Sequence, residues 1–371
     1  MVKVQVGRAG VNASALRDLR SAWSRGELVI FLGAGASIPY GVPSWRDLVL
    51  ELLFDQAERT RRLGSMWPHY RRALASWMTD YFAYDPLVLA RMVERALAQS
   101  PPRRGRPGFL ERLRTHLYGQ WHQPAARTLL DAVADLAAHE RRGLATIVTF
   151  NFDDLLERAL DARGVRFASV VGPERRRDDE RLRVVHVHGF VPREGAAARE
   201  TMVFTEPDYH ALTESIFHWG LAEIVDALRK RTVLFLGLSM SDPSLRRLLD
   251  ASRNWEFPPH YQVQKRHEVR DHEMAEATAE VERRARRYAG QLGTGFDEAK
   301  RPGQLEEAVG AALLQADSYD REVFESMGVK TIWVGGFDEI PPIVDAIPVK
   351  ARPASKPRSA SRRDRGGRRG R

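Results

Sequence analysis

Apolar positions along the 371-residue chain follow two rhythms. Over residues 11–25 they recur at helical spacing, with Val11, Leu16, Leu19 and Trp23 on one side. Gly26 and Glu27 break that pattern. Leu28 to Leu32 is then an unbroken apolar run that stops at Gly33-Ala34-Gly35-Ala36-Ser37. A short run of this kind predicts a strand buried on both faces, as in a parallel sheet. After Pro43, Ser44 predicts an N-cap for a helix beginning WRDLVLELLFDQ. From there to about residue 140 the pattern is helical, punctuated by Pro86, Pro101, Pro102, Pro107 and Pro124. Leu87, Leu89, Met92, Val93 and Ala96 make one stripe; Leu129, Leu130, Val133 and Leu136 make another. We read about 57–140 as a helical module inserted between strands.

Strand-type runs return at 145–150 (ATIVTF), 183–188 (RVVHVH), 232–236 (TVLFL), 261–264 and 331–334 (TIWV), with a short one expected at 202–205. DDLLERAL follows the first as a helix closed at Gly164. Ser241-Asp242-Pro243 opens another, a capping residue ahead of proline at the first helical position. About 265–320 reads as a charged helical insertion, and Phe337 to Ile347 closes the fold. Strands alternating with helices predict an α/β fold with a Rossmann-like parallel sheet. One domain is expected over 1–349.

Composition narrows the chemistry. There is no cysteine, so disulfides, thiol nucleophiles and cysteine-held zinc are excluded. The net charge of +9 resides in the tail: Lys350 to Arg371 holds ten basic residues and one acid, Asp364. The body is therefore balanced and has no global basic field. The tail, KARPASKPRSASRRDRGGRRGR, lacks large apolar residues and is expected to be disordered. It either solubilises or makes a weak, salt-sensitive phosphate contact, the only nucleic-acid contact expected. No apolar run reaches the roughly 18–20 residues a bilayer span needs, and the N-terminus carries no signal core, so a cytoplasmic location off the membrane is expected.

Four segments could carry chemistry. In FLGAGAS (31–37), glycines after a buried strand admit a phosphate to the backbone or simply form a tight turn. In TFNFDD (149–154), Asn151 stands at a strand's carboxyl end, where open α/β sheets bind ligands. Asp153 and Asp154 either serve a site or cap the following helix. HVHG (186–189) puts His186 and His188 on one strand face, with His188 at its end. No third ligand stands at a telling spacing, so no metal is expected. FLGLSMSDP (235–243) is a second glycine turn, in which Gly237 permits close approach and Ser239 offers a hydroxyl.

Taken in order, these segments resemble the sirtuin family. GAGAS followed by GVPSWRDL resembles the GAG loop and Gly-Ile-Pro-Asp-Phe-Arg. TFNFD resembles Thr-Gln-Asn-Ile-Asp, HVHG the catalytic His-Gly pair, and GLS the later Gly-Thr-Ser turn. The wording NFDDLLE, Thr205 to Tyr209 and SMSDPSLRRLL is most similar to sirtuin-like domains of bacterial antiphage defence proteins, NAD⁺ hydrolases that deplete the cofactor during infection. Two departures separate the chain from deacylases. Their four-cysteine zinc module is missing, and the Asp and Phe of the Pro-Asp-Phe-Arg segment are Ser44 and Trp45.

The resemblance implies NAD⁺ as substrate, without zinc. It implies catalytic roles for Asn151, His188 and Asp153. Cofactor contacts would come from Gly33, Ala34, Gly35 and Ser37, from Pro43, Trp45 and Arg46, and from Thr149, Gly237, Ser239 and Asp242. Trp45 would cover the nicotinamide side, Asn151 would position water or a ribose hydroxyl, and His188 would act as base. Cleavage of the nicotinamide–ribose bond to nicotinamide and ADP-ribose is the expected activity, in abortive infection. A zinc-free protein deacylase or ADP-ribosyltransferase and a non-catalytic NAD⁺ or ADP-ribose sensor gating a partner are the alternatives. Because a free NAD⁺ hydrolase would kill its host, a homo-oligomer or a separately encoded ATPase, helicase or nuclease partner is expected to restrain it.

Overall fold

The computed structural model describes residues 13–61, 77, 85–98, 108–139, 143–144, 146–173, 182–214, 218–251, 257–266, 271–293 and 302–348. The expected tail at 350–371, Val11, Ala145 and the prolines at 101, 102 and 107 lie outside them.

Seven strands form one all-parallel sheet: β1 (Leu28–Leu32), β2 (Thr146–Thr149), β3 (Phe167–Val170), β4 (Leu182–His186), β5 (Thr232–Leu236), β6 (His260–Lys265) and β7 (Val329–Val334). Their order is β3-β4-β2-β1-β5-β6-β7. This is the Rossmann-like arrangement the alternating pattern predicts. From β1 the chain adds β2, places β3 at the edge and fits β4 between them, then crosses to add β5, β6 and β7 on the other side. The β1/β5 boundary is therefore the topological switch point, where such sheets leave a crevice beyond the carboxyl ends.

Twelve helices are described. The first is α1 (Ala13–Arg25). The β1-to-β2 crossover holds α2 (Trp45–Arg61), α3 (Pro86–Ala98), α4 (Phe109–Tyr118) and α5 (Leu129–Ala137). Then follow α6 (Leu155–Asp161), α7 (Glu206–Glu214), α8 (Trp219–Lys230), α9 (Pro243–Ala251), α10 (Asp271–Leu292), α11 (Pro302–Ser326) and α12 (Ile340–Asp345). Ser44 caps α2 as expected: its hydroxyl accepts from the Asp47 amide at 3.2 Å and donates to the Asp47 carboxylate at 2.7 Å. Asp242 does the same for α9, accepting from the Leu245 amide at 2.8 Å.

Continuous apolar strands follow from burial on both faces. In β1, Leu28, Ile30 and Leu32 join the core beneath α1 to α6 and α12, while Val29 and Phe31 join the opposite core with α8 and α9. Four sequence expectations need correction. β4 ends at His186, and Val187 and His188 form a turn, so the two histidines do not share a strand face. The 202–205 segment is buried but is not a strand. β3 was not expected at all. Met92 is 44 % exposed, and the buried stripe of α3 runs instead through Leu89, Ala90, Val93 and Leu97.

Candidate functional site

The two glycine turns meet at the switch point. Leu32 and Leu236 are in register. Beyond them the Gly33 amide donates to the Leu236 carbonyl at 3.1 Å and the Gly35 amide to the Gly237 carbonyl at 2.9 Å. A Cβ on Gly33 would stand 2.6 Å from the Gly237 oxygen, and one on Gly35 would stand 2.9 Å from the Gly237 Cα. Gly237 itself has φ +63°, and its Cβ would stand 2.7 Å from the Ala36 nitrogen. Turn-to-turn packing therefore accounts for all three glycines, whatever ligand lies above them. The amides of Ala36 and Ser37 also donate internally, to the carbonyls of Gly33 and Ala34. Only the Ala34 N–H of this turn makes no hydrogen bond among the described residues.

Asn151 stands beside this junction. Its Nδ2 donates to the Gly33 carbonyl at 3.0 Å and to the Ser37 hydroxyl at 3.1 Å. A carbonyl accepts and never donates, so this contact fixes which end of the carboxamide is nitrogen. Oδ1 is then the outward end, with no donor onto it among the described residues. The backbone is held equally firmly: the Asn151 amide donates to the Thr149 hydroxyl at 3.1 Å. Thr149 and Ser37, expected as cofactor contacts, are buried supports of Asn151 in this structure.

Beneath Asn151 lies a buried acid–imidazole cluster. His186 is fully buried; its Nδ1 faces the Asn151 carbonyl at 3.2 Å and its Nε2 faces Glu157 Oε1 at 2.7 Å. Burial pulls its pKa down, but the charge and hydrogen bond of Glu157 outweigh that and leave it raised. Both ring nitrogens of His186 are thus engaged by neighbouring acceptors. Asp153 is buried in the same pocket. Burial pushes its carboxyl up to about 6, and the Glu157 charge adds to this against the hydrogen bonds of Ser37 and the Leu155 amide. The two adjacent acids thus separate. Asp153 caps α6 through the Leu155 amide at 3.1 Å and faces the site. Asp154 accepts from the Tyr118 hydroxyl, the Arg193 amide and Arg158, tying α4 to the 191–193 loop.

His188 leaves the strand end in the other direction. Its ring packs edge-on against Phe150 and Tyr209, with centroids 5.0 and 5.5 Å away. Nε2 lies 3.3 Å from Asp242 Oδ2, and the same oxygen accepts from the Tyr209 hydroxyl at 3.0 Å. Burial lowers the His188 pKa, only partly countered by Asp242, so the ring is neutral at pH 7. Asp242, expected as a cofactor contact, lies against His188 and Tyr209 in this structure. In the sequence, the only signal for Tyr209 is the Thr205–Tyr209 stretch. Asp208 of that stretch accepts from the Phe204 and Thr205 amides and from Arg199, fixing the start of α7 and so placing Tyr209. The loop that delivers Asp242 turns at Met240, buried at φ +56°, the one positive-φ residue other than glycine among those described. Such a conformation costs on the order of 1–3 kcal/mol and persists only where packing holds it.

The remaining expected contacts are spread more widely. Ser239 is exposed and shares its hydroxyl with Ser241 at 2.6 Å. Trp45 is half-buried against Phe204, with centroids 6.1 Å apart, so its ring belongs partly to the core. Pro43 is half-buried and Arg46 exposed at the start of α2. A separate cleft of about 940 Å³ lies between α3, α4, the 195–199 loop and the start of α7. Leu97, Phe109 and Pro207 are among its walls, and neither Asn151 nor His188 lines it.

A family model described as SIR2-like domain matches residues 145–287. The match supports a sirtuin-like family and spans Asn151, Glu157, His186, His188 and Asp242. SIR2-like domains are commonly NAD⁺-dependent enzymes, so it indicates NAD⁺ use. No curated protein gives a significant sequence match. No helix among the described residues is long and apolar enough to cross a membrane.

Proposed function

We propose that the protein hydrolyses NAD⁺ at the nicotinamide–ribose bond. The observation that carries this reading is the Asn151 carboxamide: its nitrogen is tethered by Gly33 and Ser37, and its oxygen is left open at the switch point. The SIR2-like match over this segment supplies the substrate class. The Ala34 N–H and the Ser239 hydroxyl suit a dinucleotide's phosphate and hydroxyl oxygens. In the proposed step Asn151 Oδ1 accepts from a water or ribose hydroxyl and aligns it. Neutral His188, oriented by Asp242, receives the proton directly or through the ribose hydroxyls. Water's oxygen bonds to the ribose carbon as the bond to nicotinamide breaks. The bonding pair stays on the pyridine nitrogen, which leaves neutral. The burial of His188 and Asp153 keeps bulk water away from the groups that hold protons.

NAD⁺ depletion in antiphage defence is the setting we propose. Restraint by self-assembly or by a separate partner completes the proposal, because unregulated cleavage would be lethal. Incubating the pure protein with NAD⁺ and no peptide tests the activity. Equimolar nicotinamide and ADP-ribose, linear or cyclic, are expected. Turnover that needs an acyl-lysine peptide would replace hydrolysis with deacylation, and binding without turnover would favour a sensor. Activity rising more steeply than protein concentration is the expected mark of self-assembly.

A further inference from the structure

Glu157 and His186 are both buried behind the proposed site, the histidine completely. Their arrangement is more specific than core packing requires. His186 ends β4 directly opposite Thr149 of β2, the residue whose hydroxyl holds the Asn151 amide. Its ring bridges two acceptors, the Asn151 carbonyl and Glu157 Oε1. A neutral imidazole has one N–H and satisfies only one of them, unless Glu157 carries the proton. The pair therefore holds one shared proton in either form. Ser169 of β3 donates to the same Glu157 oxygen at 2.9 Å, which fixes the carboxylate from the sheet edge. Glu157 Oε2 is buried with no partner. An unpartnered carboxylate oxygen in a core is unfavourable, and replacing a buried ion pair with apolar side chains is often neutral or stabilising. A purely structural pair has little reason to be built this way.

We propose that Glu157 and His186 are positioning residues that set the Asn151 main chain, and through it the direction of Oδ1. This rests on the NAD⁺-hydrolase reading for its kinetic consequence, though the contact itself does not. Asn151 is held at three atoms by four contacts: its carbonyl by His186, its amide by Thr149, and its Nδ2 by Gly33 and Ser37. Losing the first lets the peptide plane rotate while the other three still tether it. Displacements of about 1 Å in a positioned group cost on the order of 100-fold in rate.

Glu157→Gln tests this, because it keeps shape and an acceptor while removing the charge. In the full-length protein, ring ¹⁵N NMR across a pH series should find that the His186 ring keeps its second proton to higher pH in wild type than in the variant, and the Asn151 side-chain amide resonance should shift. This readout is independent of turnover. In nicotinamide release, kcat should fall about 10–100-fold with KM changed less than about 3-fold. Ser169→Ala, a milder change that spares the pair, should lose less than about 5-fold. An unmoved Asn151 resonance in a folded Glu157→Gln protein overturns the proposal, as does a loss of stability with kcat unchanged. If wild type releases no nicotinamide, the hydrolase reading fails, while the NMR result still decides whether the pair holds Asn151.

Discussion

His186 and His188 leave one strand end two residues apart and meet opposite surroundings. His186 turns inward, fully buried, with an acid on one nitrogen and a carbonyl on the other, and its pKa is raised. His188 turns toward Phe150, Tyr209 and Asp242, where burial outweighs a more distant acid and its pKa is lowered. Both are buried, so burial alone does not assign a histidine's role. The carboxylate distance, 2.7 Å against 3.3 Å, and the number of ring nitrogens already engaged separate a ring fixed at both nitrogens from a neutral ring available to take a proton.

Breaking the inner side should have the largest effect on stability. Glu157→Leu removes the acid that holds the second His186 proton and leaves the His186 Nε2 and the Ser169 hydroxyl without their partner, which should destabilise the fold by about 3 kcal/mol in urea unfolding. On the outer side, Asp242→Asn keeps a good helix cap, so stability should change by less than about 1 kcal/mol. Nicotinamide release should nevertheless fall about 100-fold as His188 loses its orienting charge. Equal stability losses in the two variants would erase the contrast.

Asp153 sharpens the comparison through pH. Its folded pKa of about 6 lies above the unfolded value, so the folded protein binds this proton more tightly. The stability it contributes is complete below about pH 4 and is lost as pH climbs through about 6. Asp153→Asn should therefore be more stable than wild type above pH 7, by on the order of 1–3 kcal/mol, with the gap closing toward pH 4. Thermal melts across that range check the sign. The smallest effect is expected for Tyr209→Phe, which removes one donor from Asp242: about 1 kcal/mol of stability and a few-fold in rate.

Hydrophobic rhythm alone located β1 and β5 to the residue, because both are central strands covered on two faces. β3 is not legible in the sequence because it is an edge strand, and FASV is mostly half-buried with no apolar run. RVVHVH read two residues too long as a strand because Val187 stays buried inside the turn; alternation reports burial, not ladder bonding. The glycines were legible as turns, but the reason for them was not. It lies in contact between two turns about two hundred residues apart. Asn151 and His188 stood out at strand ends. Glu157 did not, since an acid in DDLLERAL reads as a solvated helix position until β4 is placed beside β2, bringing His186 onto it across 29 residues. Asp242 and Tyr209 meet across 33 residues for the same kind of reason.

The most direct test is nicotinamide release from NAD⁺ by wild type, Asn151→Ala and His188→Ala at pH 7.5, without any peptide and with melts confirming that each is folded. The account predicts release by wild type and a loss of at least about 100-fold in both variants. Release undiminished in either folded variant, or dependent on an acyl-lysine peptide, would contradict it.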